Sequence, residues 1–313
     1  MKRSPGAHIL ILMKGMGMGA ADIIPGVSGG TIAFISGIYE ELISSIRKVN
    51  WQLVRTLFSG GIAEAWRQVN GNFLAAVFGG ILLSIFSLAR FISWLLQNHQ
   101  MLVWAFFFGL IIGSAIFVGK KIQHWHWGVP AMFLAGSILA YYITIATPAT
   151  TPETIWFVFL SGCIAITAMI LPGISGSFIL LLLGKYEYIL QAVNDLKVLT
   201  LAAFAAGCVA GLVSFSNVIG WLFKKYHNAT LALLSGFMIG SLNKLWPWKQ
   251  VLDYRENSAG ELVPFMEKSI SPGFYESLYG QDPRIIPIII CALAGLLIVV
   301  LFEKLTNTKP TQV

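Results

Sequence analysis

Two short polar stretches interrupt long apolar runs: Ile24-Pro25-Gly26-Val27-Ser28-Gly29-Gly30-Thr31 and Leu171-Pro172-Gly173-Ile174-Ser175-Gly176-Ser177. Proline ends a helix and glycine permits a sharp reversal, so Pro25, Gly26, Pro172 and Gly173 read as hinges. A helix that restarts after each hinge presents backbone N–H groups with no partner inside the helix, at the positive end of its dipole. The hydroxyls of Ser28, Thr31, Ser175 and Ser177 add polar contacts. Gly29, Gly30 and Gly176 let a ligand come close to the backbone. Such ends suit an anion, either a phosphate or a carboxylate. The same residues also suit plain capping and close packing.

What favours the anion site over packing is duplication. Pro25, Gly26, Ser28, Gly29, Gly37, Tyr39 and Glu40 recur as Pro172, Gly173, Ser175, Gly176, Gly184, Tyr186 and Glu187, at a constant offset of 147. Farther on, Gly80, Ser87, Trp94, Gly109, Gly113 and Ser114 recur as Gly207, Ser214, Trp221, Gly236, Gly240 and Ser241, at an offset of 127. The difference between the offsets is an insertion near residues 47–72, present in the first half alone. Its stripes Trp51-Val54-Phe58 and Ile62-Ala65-Trp66-Val69 have the spacing of interfacial amphipathic helices.

Few ionisable residues fall inside the apolar segments, where each is costly. Arg90 is the first candidate for a fixed cation facing an anion, its alternative being snorkelling to the outer interface. Lys14 and Asp22 precede the first loop; they can pair, or Asp22 can carry a proton through a cycle, or both can sit at the interface. Glu40 and Glu187 follow the hinged segments in both halves and suit capping, pairing or gating. His124-Trp125-His126-Trp127 lacks the spacing of a metal site, and Cys163, Cys208 and Cys291 form no disulfide framework. No nucleophile elbow, zincin motif or P-loop is present, so neither an enzyme nor a cofactor or metal is expected.

The elements that position these residues follow from composition. Of 313 residues, 56% are apolar and 11% charged. Soluble domains carry roughly 25% charged residues, so most of this exterior must face lipid. The net charge of +7 lies in membrane flanks and does not imply nucleic acid. Six runs are long enough to span: about 73–96, 101–118, 129–147, 199–222, 229–246 and 285–302. The segments 8–46 and 154–193 are apolar but broken by the polar stretches, and each starts and ends on one side, by dipping in or by crossing twice. The expected fold is an all-α polytopic membrane protein of two repeats, 1–150 and 151–313. Each holds one broken, re-entrant helix pair and three transmembrane helices. Three is odd, so the second repeat enters from the opposite face: an inverted-topology repeat, with both loops near mid-depth. Basic residues in the short loops place both termini in the cytoplasm, and 247–284 forms a long extracytoplasmic loop.

The stretch from Met13 to Thr31, with Gly37-Ile38-Tyr39-Glu40 and the second signature Leu171 to Glu187, resembles a bacterial and archaeal family of polyprenyl-phosphate transporters. The resemblance covers nearly the whole chain. It implies that the cargo is undecaprenyl phosphate, returned across the cytoplasmic membrane for reuse in cell-wall synthesis. The residues alone reach anion transport at a midplane site, which leaves open a transporter or channel for a small soluble anion. A lipid phosphatase or a purely structural subunit fits the residues less well.

Overall fold

The computed structural model describes residues 4–24, 26–256 and 262–307. Pro25, one of the expected hinges, lies outside the described residues. The first broken segment folds as three pieces: α1 (Pro5–Asp22), α2 (Gly29–Ile35) and α3 (Tyr39–Arg47). Gly26 and Gly37, at φ 87° and 73°, take the left-handed backbone that turns the chain between them. Two short amphipathic helices follow, α4 (Trp51–Ser59) and α5 (Gly61–Gln68), where the insertion was expected. Their apolar residues Trp51, Phe58, Ile62 and Trp66 are exposed on the protein surface.

The 50-residue α6 (Gly71–Lys120) is roughly 75 Å long at 1.5 Å per residue, far beyond a hydrocarbon core of about 30 Å. It breaks at His99, whose φ of −139° and ψ of 36° are not helical. Its limbs, 71–98 and 100–120, correspond to the first two expected spans. After α7 (Gly128–Ile145) the second broken segment repeats the pattern: α8 (Ile155–Ile170), α9 (Gly176–Leu182) and α10 (Tyr186–Asn194). Gly173 and Gly184 repeat the left-handed turns at φ 94° and 62°, and α9 and α10 meet at a bend of 105°. Then come α11 (Val198–Lys225), α12 (His227–Ser241), α13 (Pro272–Tyr279) and α14 (Ile285–Asn307). Among the described residues, α6, α7, α11 and residues 285–304 of α14 are long and apolar enough to cross a membrane. Large apolar side chains such as Phe86 and Ile286 point outward, as lipid-facing helices require. The molecule is a largely helical, multi-pass membrane protein.

One exception to the helical pattern falls in the long 247–284 loop. β1 (Lys249–Glu256) pairs antiparallel with β2 (Leu262–Ser269), and α13 follows them. Mixed charge masked this hairpin in the sequence. Trp248 and Trp246 anchor it to the bundle: their indole N–H groups donate to Pro283 O at 2.9 Å and Ile270 O at 2.7 Å.

In lipid there is little hydrophobic drive between helices, so packing depends on small residues that let backbones touch. The touching residues keep the sequence offsets. A Cβ on Gly15 of α1 would strike the Val77 carbonyl of α6, and one on Gly80 the Leu12 carbonyl. In the second half, Gly162 of α8 meets the Phe204 carbonyl of α11, and Gly207 the Phe159 carbonyl. Leu12, Gly15, Val77 and Gly80 become Phe159, Gly162, Phe204 and Gly207 at the same offsets of 147 and 127. The remaining helices pair across the halves. Gly109 of α6 meets Ala292 of α14, and Gly295 meets Phe106; Gly236 of α12 meets Phe133 of α7, and Gly136 meets Leu233. One turn farther on, Gly19 meets Ile81, Gly211 meets Cys163, Gly113 meets Leu296 and Gly240 meets Ser137, so beside Gly15–Val77, Gly207–Phe159, Gly109–Ala292 and Gly236–Phe133 the contacts of all four pairs climb both helices in the same direction.

Candidate functional site

The two polar tips touch. The Thr31 hydroxyl, on the first turn of α2, accepts from Gly173 N at 3.0 Å. The Ser28 hydroxyl donates to Met169 O at 2.9 Å and accepts from Gly30 N at 3.0 Å, which caps α2. Glycine is needed at position 30, because a Cβ there would stand 2.6 Å from the Ile170 carbonyl. Ser28 and Thr31 are fully buried. Non-helical backbone at such depth must be satisfied by protein or line a cavity, and here each loop satisfies part of the other.

The helix ends at the two tips are not equivalent. At α2, the Asp22 carboxylate accepts from Gly29 N at 2.7 Å, so a carboxylate of the chain already sits at the positive end of this helix. Lys14, two turns earlier on α1, donates to Ser36 O at 2.6 Å, at the opposite end of α2. Lys14 and Asp22 of α1 thus match both poles of one seven-residue helix. At α9, Ser175 accepts from Phe178 N at 3.4 Å and shares a 2.6 Å hydrogen bond with Ser177. The position equivalent to Asp22 is Met169, so no carboxylate takes the corresponding place. Ser177 is exposed.

A cation at the tips went unnoticed in the sequence. Lys244, in the 3-10 turn after α12, lays its stem where a Cβ on Gly26 would be, 2.8 Å from its Cγ. Its ammonium lies 5.0 Å from the centre of the Phe178 ring on α9 and donates to Glu267 of β2 at 3.3 Å. It therefore borders both tips. Its place at the end of an apolar run gave it the look of an interfacial flank, and the turn that folds it back is a tertiary feature. Asp22 and Gly30 also edge an apolar cavity of about 100 Å³ walled by residues such as Met18, Ile43, Val77 and Met169.

The remaining expected residues lie elsewhere. Arg90 is on an exposed face of α6. It is six residues, or roughly 9 Å along the helix, past Ser84, which packs at the level of Gly19. Glu40, at the start of α3, pairs with His227 at 3.5 Å on the surface. Glu187 starts α10 at the equivalent position.

Apolar helices enclosing two joined polar tips define a multi-pass membrane protein with an internal polar site, the build of a membrane transporter. The chain belongs to the undecaprenyl phosphate translocase-like (VCA0040-like) family, whose model matches residues 18–263. It is 46% identical over 297 residues to the polyprenyl-phosphate transporter of Vibrio cholerae serotype O1 (strain ATCC 39315 / El Tor Inaba N16961), covering 95% of this chain and 96% of that one. It is 32% identical over 255 residues to the polyprenyl-phosphate transporter of Staphylococcus aureus (strain NCTC 8325 / PS 47), covering 75% and 85% respectively. No solved structure matches the chain significantly.

Proposed function

We propose that the protein moves undecaprenyl phosphate across the cytoplasmic membrane by sheltering its phosphate at the joined tips while the prenyl chain stays in lipid. The observation that carries this is the direct union of the tips, Thr31 to Gly173 and Ser28 to Met169, inside an apolar bundle. The two halves are inverted repeats, 1–150 and 151–313, with both termini cytoplasmic. The parallel glycine contacts support the inversion. If α12 lies parallel to α7, it starts on the side where α6 ends; α11 then runs opposite to the first limb of α6.

The asymmetry of the tips suggests an order of events. The headgroup arrives from the extracytoplasmic side, past Arg90, and meets Lys244 and the α9 end at Ser175, Gly176 and Ser177. To reach the α2 end at Ser28, Gly29, Gly30 and Thr31 it must displace the Asp22 carboxylate, which protonation of Asp22 would permit. The apolar cavity beside Asp22 offers a path for the first isoprene units. Pro25, Gly26, Pro172 and Gly173 are the hinges; Lys14, Asp22, Glu40 and Glu187 couple or gate the movement. The names of the relatives agree with this cargo.

Reconstitution in liposomes with labelled undecaprenyl phosphate, with and without a pH gradient, tests the proposal. Protein-dependent movement of the label between leaflets is the expected result. Uptake of inorganic phosphate without movement of the lipid would assign a small soluble anion instead.

A further inference from the structure

The two repeats are alike in sequence but differ in how their gates are packed. On α3, Arg47 donates through Nε to Asn217 Oδ1 of α11 at 3.4 Å. Its guanidinium lies against Gly220, in the space a side chain would fill. Nearby, Tyr39 packs against Phe34 in a tilted contact and edge-on against Phe223, at ring distances of 4.6 and 6.1 Å, and α3 packs along α11. The equivalent helices, α10 and the first limb of α6, have no comparable packing. Ile43 and Ile46 on α3 are 2% and 5% exposed; their counterparts on α10, Leu190 and Val193, are 37% and 49% exposed. One side of the molecule is shut and the corresponding side is open.

The offsets place a matching pair on the open side. The residue equivalent to Arg47 is Asn194, and the one equivalent to Asn217 is Arg90. Arginine and asparagine have changed places between the repeats while keeping the pair. Ser93, a small residue, stands where Gly220 seats the guanidinium. Arg90, Ser93 and Asn194 are all exposed. We propose that Arg90 and Asn194 form the second gate, with Arg90 donating to the Asn194 side-chain carbonyl over Ser93 when α10 closes on α6. The Arg47–Asn217 contact would be released in the same movement. An arginine on either helix can make this contact, because its fork of donors needs only one amide oxygen. The proposal rests on the two-repeat reading above and gives Arg90 a partner within the protein, beyond any role toward the headgroup.

The test uses full-length protein with Cys163, Cys208 and Cys291 replaced by alanine. Arg47→Cys with Gly220→Cys reports the gate seen closed, and Ser93→Cys with Asn194→Cys reports the proposed one. Each pair is expected to cross-link and to block transport until reduced. In protein carrying all four cysteines, a molecule holds one cross-link or the other, not both. Failure of Ser93→Cys with Asn194→Cys to cross-link where the reference pair does, or both links in one molecule, overturns the proposal. Cross-linking needs no cargo, so the expected pattern in protein that moves no polyprenyl phosphate keeps the gate and sinks only the cargo. A second test exchanges the side chains. Arg90→Asn is expected to slow transport about tenfold, the scale of one lost charged hydrogen bond. The double variant R90N/N194R recovers most of the loss. Absence of that rescue means Arg90 does not act through Asn194.

Discussion

At the scale of single residues, the candidate site depends on a few buried hydroxyls that hold loop to loop. Thr31→Val keeps the shape but leaves the Gly173 N–H buried without an acceptor. That should cost about 1–3 kcal/mol, seen as a lower melting temperature in detergent together with slower transport, while Thr31→Ser stays near the parent. Asp22→Asn retains an oxygen for Gly29 N but removes the negative charge from the α2 end. The variant should fold, and its transport should lack the dependence on a pH gradient that is expected of the parent in liposomes. If the dependence persists, Asp22 is not the proton carrier. Lys244→Gln should raise the half-saturating lipid concentration severalfold, and Glu267→Gln, which leaves the cation in place, should not. Ser28, Thr31 and Ser175 could be singled out from the sequence because proline, glycine and hydroxyl residues are rare company inside apolar runs. The Asp22 cap on Gly29 could not, since it bridges a turn whose path is set by contacts with the other half.

At the scale of elements, the helix pairs make a symmetric prediction. Gly80→Ala and Gly207→Ala each push a methyl into a carbonyl of the facing helix, Leu12 or Phe159. Both should destabilise by about 1–3 kcal/mol, the usual cost of overpacking. Gly79→Ala, next in sequence with open space around it, should be harmless; thermal unfolding in detergent compares the three. The hairpin offers a pH test. Burial pushes the Lys249 ammonium down from 10.5 to about 8, although it donates to Asn243 O and Ser269 Oγ. Between those values the unfolded chain holds the proton more than the folded one, so stability rises with pH across that window and the penalty is in full force below it. Melting temperatures from pH 7.5 to 10 should show the rise in the parent and a flatter profile in Lys249→Met. The helices were legible from apolar run length and from the hinges. The hairpin was not, because its strands are charged and stabilised by tryptophans outside them.

At the scale of the whole molecule, inversion and sidedness are the claims to check. Single cysteines at Gln123, in the loop before α7, and at Gln281, after α13, should lie on opposite faces. An impermeant maleimide applied to intact cells should label Gln281→Cys alone and reach Gln123→Cys only after permeabilisation. Equal labelling of both would overturn the inverted arrangement. The exchange of partners, with α14 on α6 and α12 on α7, ties the halves together and restricts rocking to movements that keep those pairs intact. In the gating proposed above, the elements that open and close are α3, short and packed across the halves on α11, and α10, equally short but packed on α9 and α11 of its own half.

Composition and offset repetition determined by themselves that the chain belongs in a membrane, that it is doubled, and that its hinged polar stretches are the places to look. These are properties of residue type and spacing, and no folding is needed to read them. Only the tertiary structure decided that the tips bond to each other, that Asp22 occupies one helix end and not the other, that Lys244 borders both tips, and that α3 is packed on α11 while the equivalent face of α10 is exposed. Each of these depends on distances between segments far apart in the chain. Two copies of nearly the same pattern can occupy different states there, and the linear sequence treats them alike.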